Sequence, residues 1–175
     1  MGRSKSVTAA ELMARLSKDA KYLAAVAERD RRIAEQAREY ADEGEQIARE
    51  AAKLGYDIQS VWDFVNNNPH PFLPRSFVGP YDRAYPLLVR HLRLPHHTKV
   101  REGIIRALTV KDGGPLVSDA LFREFAAEKN PYLRWVLANA LRTAMPLKER
   151  KRHPEIAKVF NAKGSLLLSG RERHE

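Results

Sequence analysis

Three histidines close together, His91, His96 and His97, are the residues of this chain best suited to chemistry. Imidazole nitrogens bind zinc and carry protons, but a zinc site needs four protein ligands, or three and a water molecule. No aspartate or glutamate accompanies the three histidines at ligand spacing, and the chain has no cysteine. Because Pro95 precedes His96, we expect the last two histidines in a turn between helices. We therefore predict no metal ion here.

Sequence motifs of known catalytic sites are missing as well. The chain contains no HExxH, GxSxG, P-loop or GxGxxG pattern, each of which holds reactive groups at a fixed spacing. The glycines in Asp112–Pro115 are typical of a turn and not of a phosphate-binding loop. We predict a protein that is not an enzyme, with no catalytic residues and no cofactor.

The charge of the chain is positive and unevenly distributed. It has 31 basic and 22 acidic side chains in 175 residues, a net charge of +9. Residues 1–57 are neutral, so residues 58–175 hold the whole excess, which would attract nucleic acid or an acidic protein surface. The longest apolar run, Leu166–Leu168, is far below the roughly 18 residues of a membrane helix. We expect no membrane partner and a cytoplasmic protein.

The N-terminal third has the pattern of long helices. Thr8 and Glu11 form a capping box, and good helix formers without proline then predict one helix over 19–53, closed by Gly55. Its strongly apolar stripe advances in steps of seven, through Val26, Ile33, Tyr40 and Ile47. A coiled-coil dimer is one interpretation, so the oligomeric state stays open. We favour a helix that folds back on its own chain, because a second full stripe is lacking.

A short helix and a loop come next. Asp57 can cap a helix with apolar residues at Ile58, Val61, Trp62 and Val65. The prolines of residues 67–80 then predict a loop.

The C-terminal half repeats itself at an offset of 33 residues. Residues 100–108 align with 133–141, and the aligned apolar pairs are Val100 with Leu133, Ile104 with Leu137 and Leu108 with Leu141. The preceding helices match at the same offset, with Leu88 on Leu121 and Leu92 on Phe125. A period in the thirties is typical of helix pairs that bury their apolar faces against neighbouring pairs.

Ala84–Leu92 followed by Val100–Leu108 resembles a HEAT repeat, in the proline of its first helix and the VRxxIxxAL run of its second. A degenerate second repeat follows, and Lys148–Phe160 looks like the first helix of a third, whose second helix is missing or reduced to Ser165–Leu168. The chain also resembles small bacterial HEAT-domain proteins with a long charged N-terminal helix and a YDIQSVWDFVN-like element, here 56–66. The resemblance implies an all-α fold: a short right-handed α-solenoid with the N-terminal helices packed on it or capping it.

The resulting organisation has three parts. Residues 1–66 form an N-terminal helical segment and residues 67–80 a proline-rich loop. Residues 81–175 form the repeats, at about 81–110, 116–144 and a truncated 147–168.

Two candidate binding surfaces follow from the repeats. On the second helices, the positions turned away from the apolar stripe form polar ladders that could contact a partner: Glu102, Arg106, Trp135, Asn139 and Arg142. Trp135 could equally pack on a neighbouring helix, and we expect Arg101 and Arg134 to bond within the stack. A basic edge could bind phosphates or be a solvated helix end, and it comprises Arg90, Arg93, His96, His97, Lys99, Lys148, Arg150, Lys151 and Arg152.

Binding is therefore the predicted function. We expect a non-catalytic scaffold or adaptor that binds a protein partner, with an acidic surface favoured, through the repeat surface. A small bacterial immunity or inhibitor protein that covers a toxin or enzyme is one alternative. A nucleic-acid-binding helical repeat that uses the basic edge is the other.

Overall fold

A computed structural model of the chain describes residues 8–67 and 79–162. These residues form ten α-helices and a 3-10 turn at Asp82–Ala84, without a strand among them, so the all-α prediction is confirmed. None of the helices in these two ranges is long and apolar enough to cross a membrane. The helices are α1 Ala9–Leu16, α2 Ala20–Arg38, α3 Ala41–Ala52, α4 Trp62–Val65, α5 Tyr85–Leu92, α6 Thr98–Ala107, α7 Gly114–Ala127, α8 Pro131–Ala144, α9 Leu147–Arg150 and α10 Pro154–Asn161.

Two predicted segments lie wholly or mostly outside the described residues. The proline-rich loop at 67–80 is described only at its ends. The reduced last helix at Ser165–Leu168 is not among the described residues.

The chain divides into two compact units at Ala41 and Asp42. In the first unit the predicted capping box is confirmed: Thr8 Oγ1 accepts the N–H of Glu11 at 3.3 Å, and Glu11 Oε2 accepts the N–H of Thr8 at 2.9 Å. These bonds satisfy N–H groups that the first turn of α1 leaves without intrahelical partners.

The prediction of one continuous helix over 19–53 is wrong. Helix α2 ends at Arg38, and α3 begins at Ala41 after a two-residue turn. The two helices have different surroundings, because Ile47 of α3 is completely buried whereas Leu23 of α2 is 47% exposed. Good helix propensity does not register that difference, since it reports local preference only. Helix α3 ends at Ala52, and the turn after it closes, as expected, at Gly55, whose φ of 88° suits a residue without a Cβ.

The second unit holds the core that the sequence repeat predicts. Helix α5 packs on α6 and α7, α6 packs on α8, and α7 packs on α8. Helix α10 packs on α8 as well, and α4 packs on α6. Four of the aligned pairs are buried at both positions, with each residue at most 1% exposed: Leu88, Leu92, Ile104, Leu108, Leu121, Phe125, Leu137 and Leu141. The repeat therefore marks the residues whose burial drives the packing of these helices.

Helix α4 and α6 approach each other closely at Gly103. A Cβ added there would lie 2.5 Å from Val61 Cγ1 and 3.2 Å from Trp62 Nε1.

Helix α4 is shorter than predicted, and Asp57 does not cap it. Instead, Asp63 Oδ2 accepts the N–H groups of Gln59 at 2.7 Å and Ser60 at 3.0 Å.

The predicted single helix over 148–160 is also wrong. Helix α9 ends at Arg150, and α10 begins at Pro154. The residue before a proline is pushed out of the helical region by the pyrrolidine ring. His153 accordingly has a ψ of 69°, which separates the two helices.

Candidate functional site

The face formed by α6 and α8 is organised around a buried carboxylate. Glu102 of α6 is 3% exposed, and its Oε1 accepts the hydroxyl of Tyr132 at 2.6 Å and Nε of Arg106 at 2.9 Å. Its Oε2 lies 3.6 Å from Nζ of Lys99 and accepts no hydrogen bond from the described residues. The expectation that Glu102 offers its carboxylate on an open surface is therefore wrong, because three side chains cover it.

The electrostatics of this cluster fix its protonation. Burial, and then the hydrogen bond to Glu102, raise the pKa of Tyr132, so its hydroxyl stays a donor at neutral pH. Burial alone would lower the pKa of Arg106, but its bonds to Glu102 and Tyr132 raise it overall. A carboxylate that accepts a phenol and a guanidinium holds both in one geometry. The cluster thus links α6 to α8 and fixes two of their outward side chains.

The rest of the α8 face lies over α10. The ring of Trp135 stacks on Phe160 at 6.2 Å between centroids, and its Nε1 donates to the Phe160 carbonyl at 3.4 Å. The guanidinium carbon of Arg142 lies 3.7 Å from the centroid of the Phe160 ring. Packing of Trp135 on a neighbouring helix, the stated alternative to contact with a partner, is therefore observed, although its side chain stays half-buried.

One outward stripe of α8 now contains four residues at helical spacing, Tyr132, Trp135, Asn139 and Arg142. Tyr132 and Arg142 are exposed, and the other two are half-buried. Sequence reasoning missed Tyr132, although its position one helical turn before Trp135 places it on the same face. The binding role of this stripe stays a prediction.

Of the two repeated arginines, Arg101 bonds within the helix stack as expected, whereas the buried Nε of Arg134 has no hydrogen-bond partner among the described residues. Arg101 donates to the Leu92 carbonyl at 2.8 Å, to Glu124 at 2.6 Å and to Glu128 at 3.2 Å. It therefore joins the first helix pair to the second. Arg134 lies over the ring of Phe125, 5.1 Å from its centroid.

His91 and His96 belong to a series of hydrogen-bonded side chains that begins and ends on α3. Nδ1 of His96 lies 2.8 Å from Oε2 of Glu43, and Nε2 of His96 lies 3.1 Å from Nδ1 of His91. Nε2 of His91 then lies 3.2 Å from Oε2 of Glu50, which also pairs with Arg90. His91 is fully buried and His96 is 5% exposed. The expectation that His96 belongs to an open basic edge is therefore wrong, because Glu43 and His91 hold it inside.

Burial sets the charge of His91. Burial, and then the charges of His96 and Arg90, lower the pKa of His91 to about 4. His91 is therefore neutral at physiological pH, and a neutral imidazole can donate from Nε2 to Glu50.

Glu43 and Glu50 were not among the residues predicted to accompany the histidines. They precede His91 and His96 by 41 to 53 positions, so no local spacing connects them. Their one sequence signal is that they lie seven residues apart, on one face of a helix. No group of three His, Cys, Asp or Glu side chains within 8–67 and 79–162 is arranged to hold a metal ion.

The remaining basic residues lie in two groups along the chain. His97 accepts the N–H of Lys99 at 3.2 Å and so caps α6, while Arg93 is exposed. In the second group Arg150 donates to the Arg142 carbonyl at the end of α8. The other members of this group, Lys148, Lys151 and Arg152, are exposed.

Comparison with protein-family models, with curated proteins and with solved structures finds no match to this chain.

Proposed function

We propose that the protein is a non-catalytic helical scaffold that binds an acidic surface of a protein partner through the face of α6 and α8. The observation that carries this proposal is the stripe of Tyr132, Trp135 and Arg142 on α8. Tyrosine, tryptophan and arginine are the residue types that most often dominate the binding energy of protein interfaces.

The fixed geometry of these side chains supports the proposal. Glu102 holds the Tyr132 hydroxyl, and the ring of Phe160 contacts both Trp135 and Arg142. Side chains that are ordered before binding lose less conformational entropy when a partner arrives. The face therefore has both the composition and the rigidity of a binding surface.

The packing of the helices supports a HEAT-like arrangement. The first helices of the two pairs, α5 and α7, pack on each other, and so do the second helices, α6 and α8. Stacked helix pairs in a solenoid show this like-with-like packing. In such a stack the outward positions of the second helices share one surface, which here combines Arg106 of α6 with the α8 stripe.

Charge defines the kind of partner. Arg106 is paired with the buried Glu102, and Arg142 is exposed and adds a positive charge to the face. All of the net charge of +9 lies in residues 58–175. An acidic partner would be attracted at long range and would find complementary charges on contact.

The proposal can be tested by co-purification with matched variants. Tagged wild-type chain should retain a stoichiometric, acidic protein from cells that express it naturally. Tyr132→Ala and Arg142→Glu should each weaken binding of that protein by about thirtyfold, since hot-spot residues contribute roughly 2 kcal/mol. Arg123→Glu, on an exposed residue of α7, is the control and should leave binding within about twofold.

Two results would contradict the proposal. One is equal weakening by the control and the α8 variants, which would indicate nonspecific charge attraction. The other is tight binding of unrelated nucleic acids that falls steeply with salt in gel shifts, because that behaviour indicates several phosphate contacts.

A further inference from the structure

We infer that a cavity between α3 and α5 is a binding site for a small phosphate monoester. The cavity has a volume of about 600 Å³ and is lined by Glu50, Lys53, Leu54, Arg83, Pro86, Leu87 and Arg90. It is built by elements other than the α6 and α8 face, so this inference does not depend on the proposed scaffold function.

The lining has more positive than negative charge. It includes Lys53, Arg83 and Arg90, against the single carboxylate of Glu50, which leaves two positive charges in excess. A phosphate monoester carries close to two negative charges at neutral pH. Two guanidinium groups and one ammonium group can donate to its three terminal oxygens.

The remaining lining defines the rest of the ligand. Leu54, Pro86 and Leu87 form an apolar wall beside the cations. A cavity of a few hundred cubic ångströms holds a small molecule, typically against apolar side chains with a few polar groups that orient it. The ligand is therefore a phosphate joined to a small apolar or aromatic group, because inorganic phosphate would leave the apolar side chains uncovered.

Glu50 is positioned to compete with this ligand. Its Oε2 pairs with Arg90 and lies 3.2 Å from Nε2 of the buried His91. When a phosphate enters, Arg90 can turn from Glu50 to the ligand, because Glu50 keeps its bond to His91. Glu50 thus acts as an internal counter-ion that holds Arg90 while the cavity is empty, and a bound phosphate must compete with it for Arg90.

This exchange makes a sharp test possible, because two lining residues have effects of opposite sign. Binding of phenyl phosphate, inorganic phosphate and benzoate is measured by amide NMR shifts and calorimetry in dilute chloride buffer. Phenyl phosphate should bind with one-to-one saturation and shift amides near Lys53, Arg83 and Arg90. Inorganic phosphate, which leaves the apolar wall uncovered, and benzoate, which has a single charge, should each bind at least about fivefold more weakly.

The variants decide the outcome. Arg83→Gln should weaken phenyl phosphate binding about tenfold, whereas Glu50→Gln should tighten it several-fold because the amide keeps an acceptor for His91 and releases Arg90. Arg123→Gln, an exposed arginine outside the cavity, should change binding by less than about twofold. Circular dichroism confirms that each variant is folded.

The inference is overturned if phenyl phosphate binding does not saturate, if Arg83→Gln and Arg123→Gln weaken it equally, or if folded Glu50→Gln binds more weakly than the wild type. If Glu50→Gln is unfolded, the result for Arg83→Gln still tests the inference, because Arg83 is exposed and its loss removes no buried contact. Equal affinity for phenyl phosphate and inorganic phosphate would overturn the role of the apolar wall.

Discussion

His91 and Glu102 are buried ionisable side chains, and each is held by another helix. His91 of α5 bonds to Glu50 of α3, and Glu102 of α6 bonds to Tyr132 of α8. A buried polar group without partners would cost free energy, so these residues tie their helices together in one register. Glu50 and Glu102 also pair with Arg90 and Arg106, which belong to the two candidate sites.

The buried histidine predicts a dependence of stability on pH. The pKa of His91 is about 4 in the folded protein, lowered from its ordinary value of 6.5 by burial and then by His96 and Arg90. Glu50 contacts His91, and Glu43 contacts His96. Below about pH 6.5 the unfolded chain binds a proton that the folded protein does not, so the free energy of unfolding falls as the pH falls. Between pH 7 and pH 5 the loss from this residue should be about 2 kcal/mol.

Urea denaturation of the wild type and of His91→Gln at several pH values measures this loss. Glutamine can donate to Glu50 but does not titrate. We expect the free energy of unfolding of the variant to be lower than that of the wild type at pH 7 and to change less between pH 7 and pH 5. The interpretation fails if both proteins lose the same free energy of unfolding over that range.

At the scale of the elements, two glycines inside helices have opposite roles. Gly103 of α6 lies where α4 comes closest, and a methyl group there would meet Val61 and Trp62 at 2.5 to 3.3 Å. Gly44 of α3 has no atom within 4 Å of the position a Cβ would take. The first glycine is therefore required by packing, and the second is a local weakness of its helix.

Alanine substitution should separate these roles. Gly103→Ala should lower the free energy of unfolding by about 1–3 kcal/mol, because overpacking outweighs the gain in helix propensity. Gly44→Ala should raise it by about 0.5–1 kcal/mol, because alanine costs less backbone entropy in a helix. Both values come from denaturant unfolding, and the same sign for the two variants would contradict the close approach of α4 and α6.

At the scale of the whole molecule, the chain consists of two units that meet at Ala41 and Asp42. All helix pairs that pack extensively lie in the second unit, among the helices from α4 to α10. Ile47 and Ala51 of α3 are fully buried there as well. The second unit thus has its own hydrophobic core, which is what an independently folding unit needs.

A chain of residues 42–175 should therefore fold by itself. We expect it to keep its helical circular dichroism and a single cooperative thermal transition, with a midpoint within about 5 °C of that of the full chain. Calorimetry of both chains measures the transitions. A fragment that shows no cooperative transition would mean that α1 and α2 contribute essential core.

The sequence by itself determined the all-α class, the capping box of α1 and the buried positions of the repeated helices. These features depend on residues three to four positions apart, whose local spacing a helix converts directly into one face. The repeat at 33 residues added the pairs Leu88 with Leu121 and Ile104 with Leu137, because equivalent residues of similar units are buried alike.

Only the tertiary structure decided which polar groups meet. The bond of Glu43 to His96 spans 53 residues, and that of Glu102 to Tyr132 spans 30. It also placed the break between α2 and α3, where both flanking sequences favour helix. The physical reason is the same in each case: a distant contact depends on how helices pack, and helix propensity and local spacing contain no information about that packing.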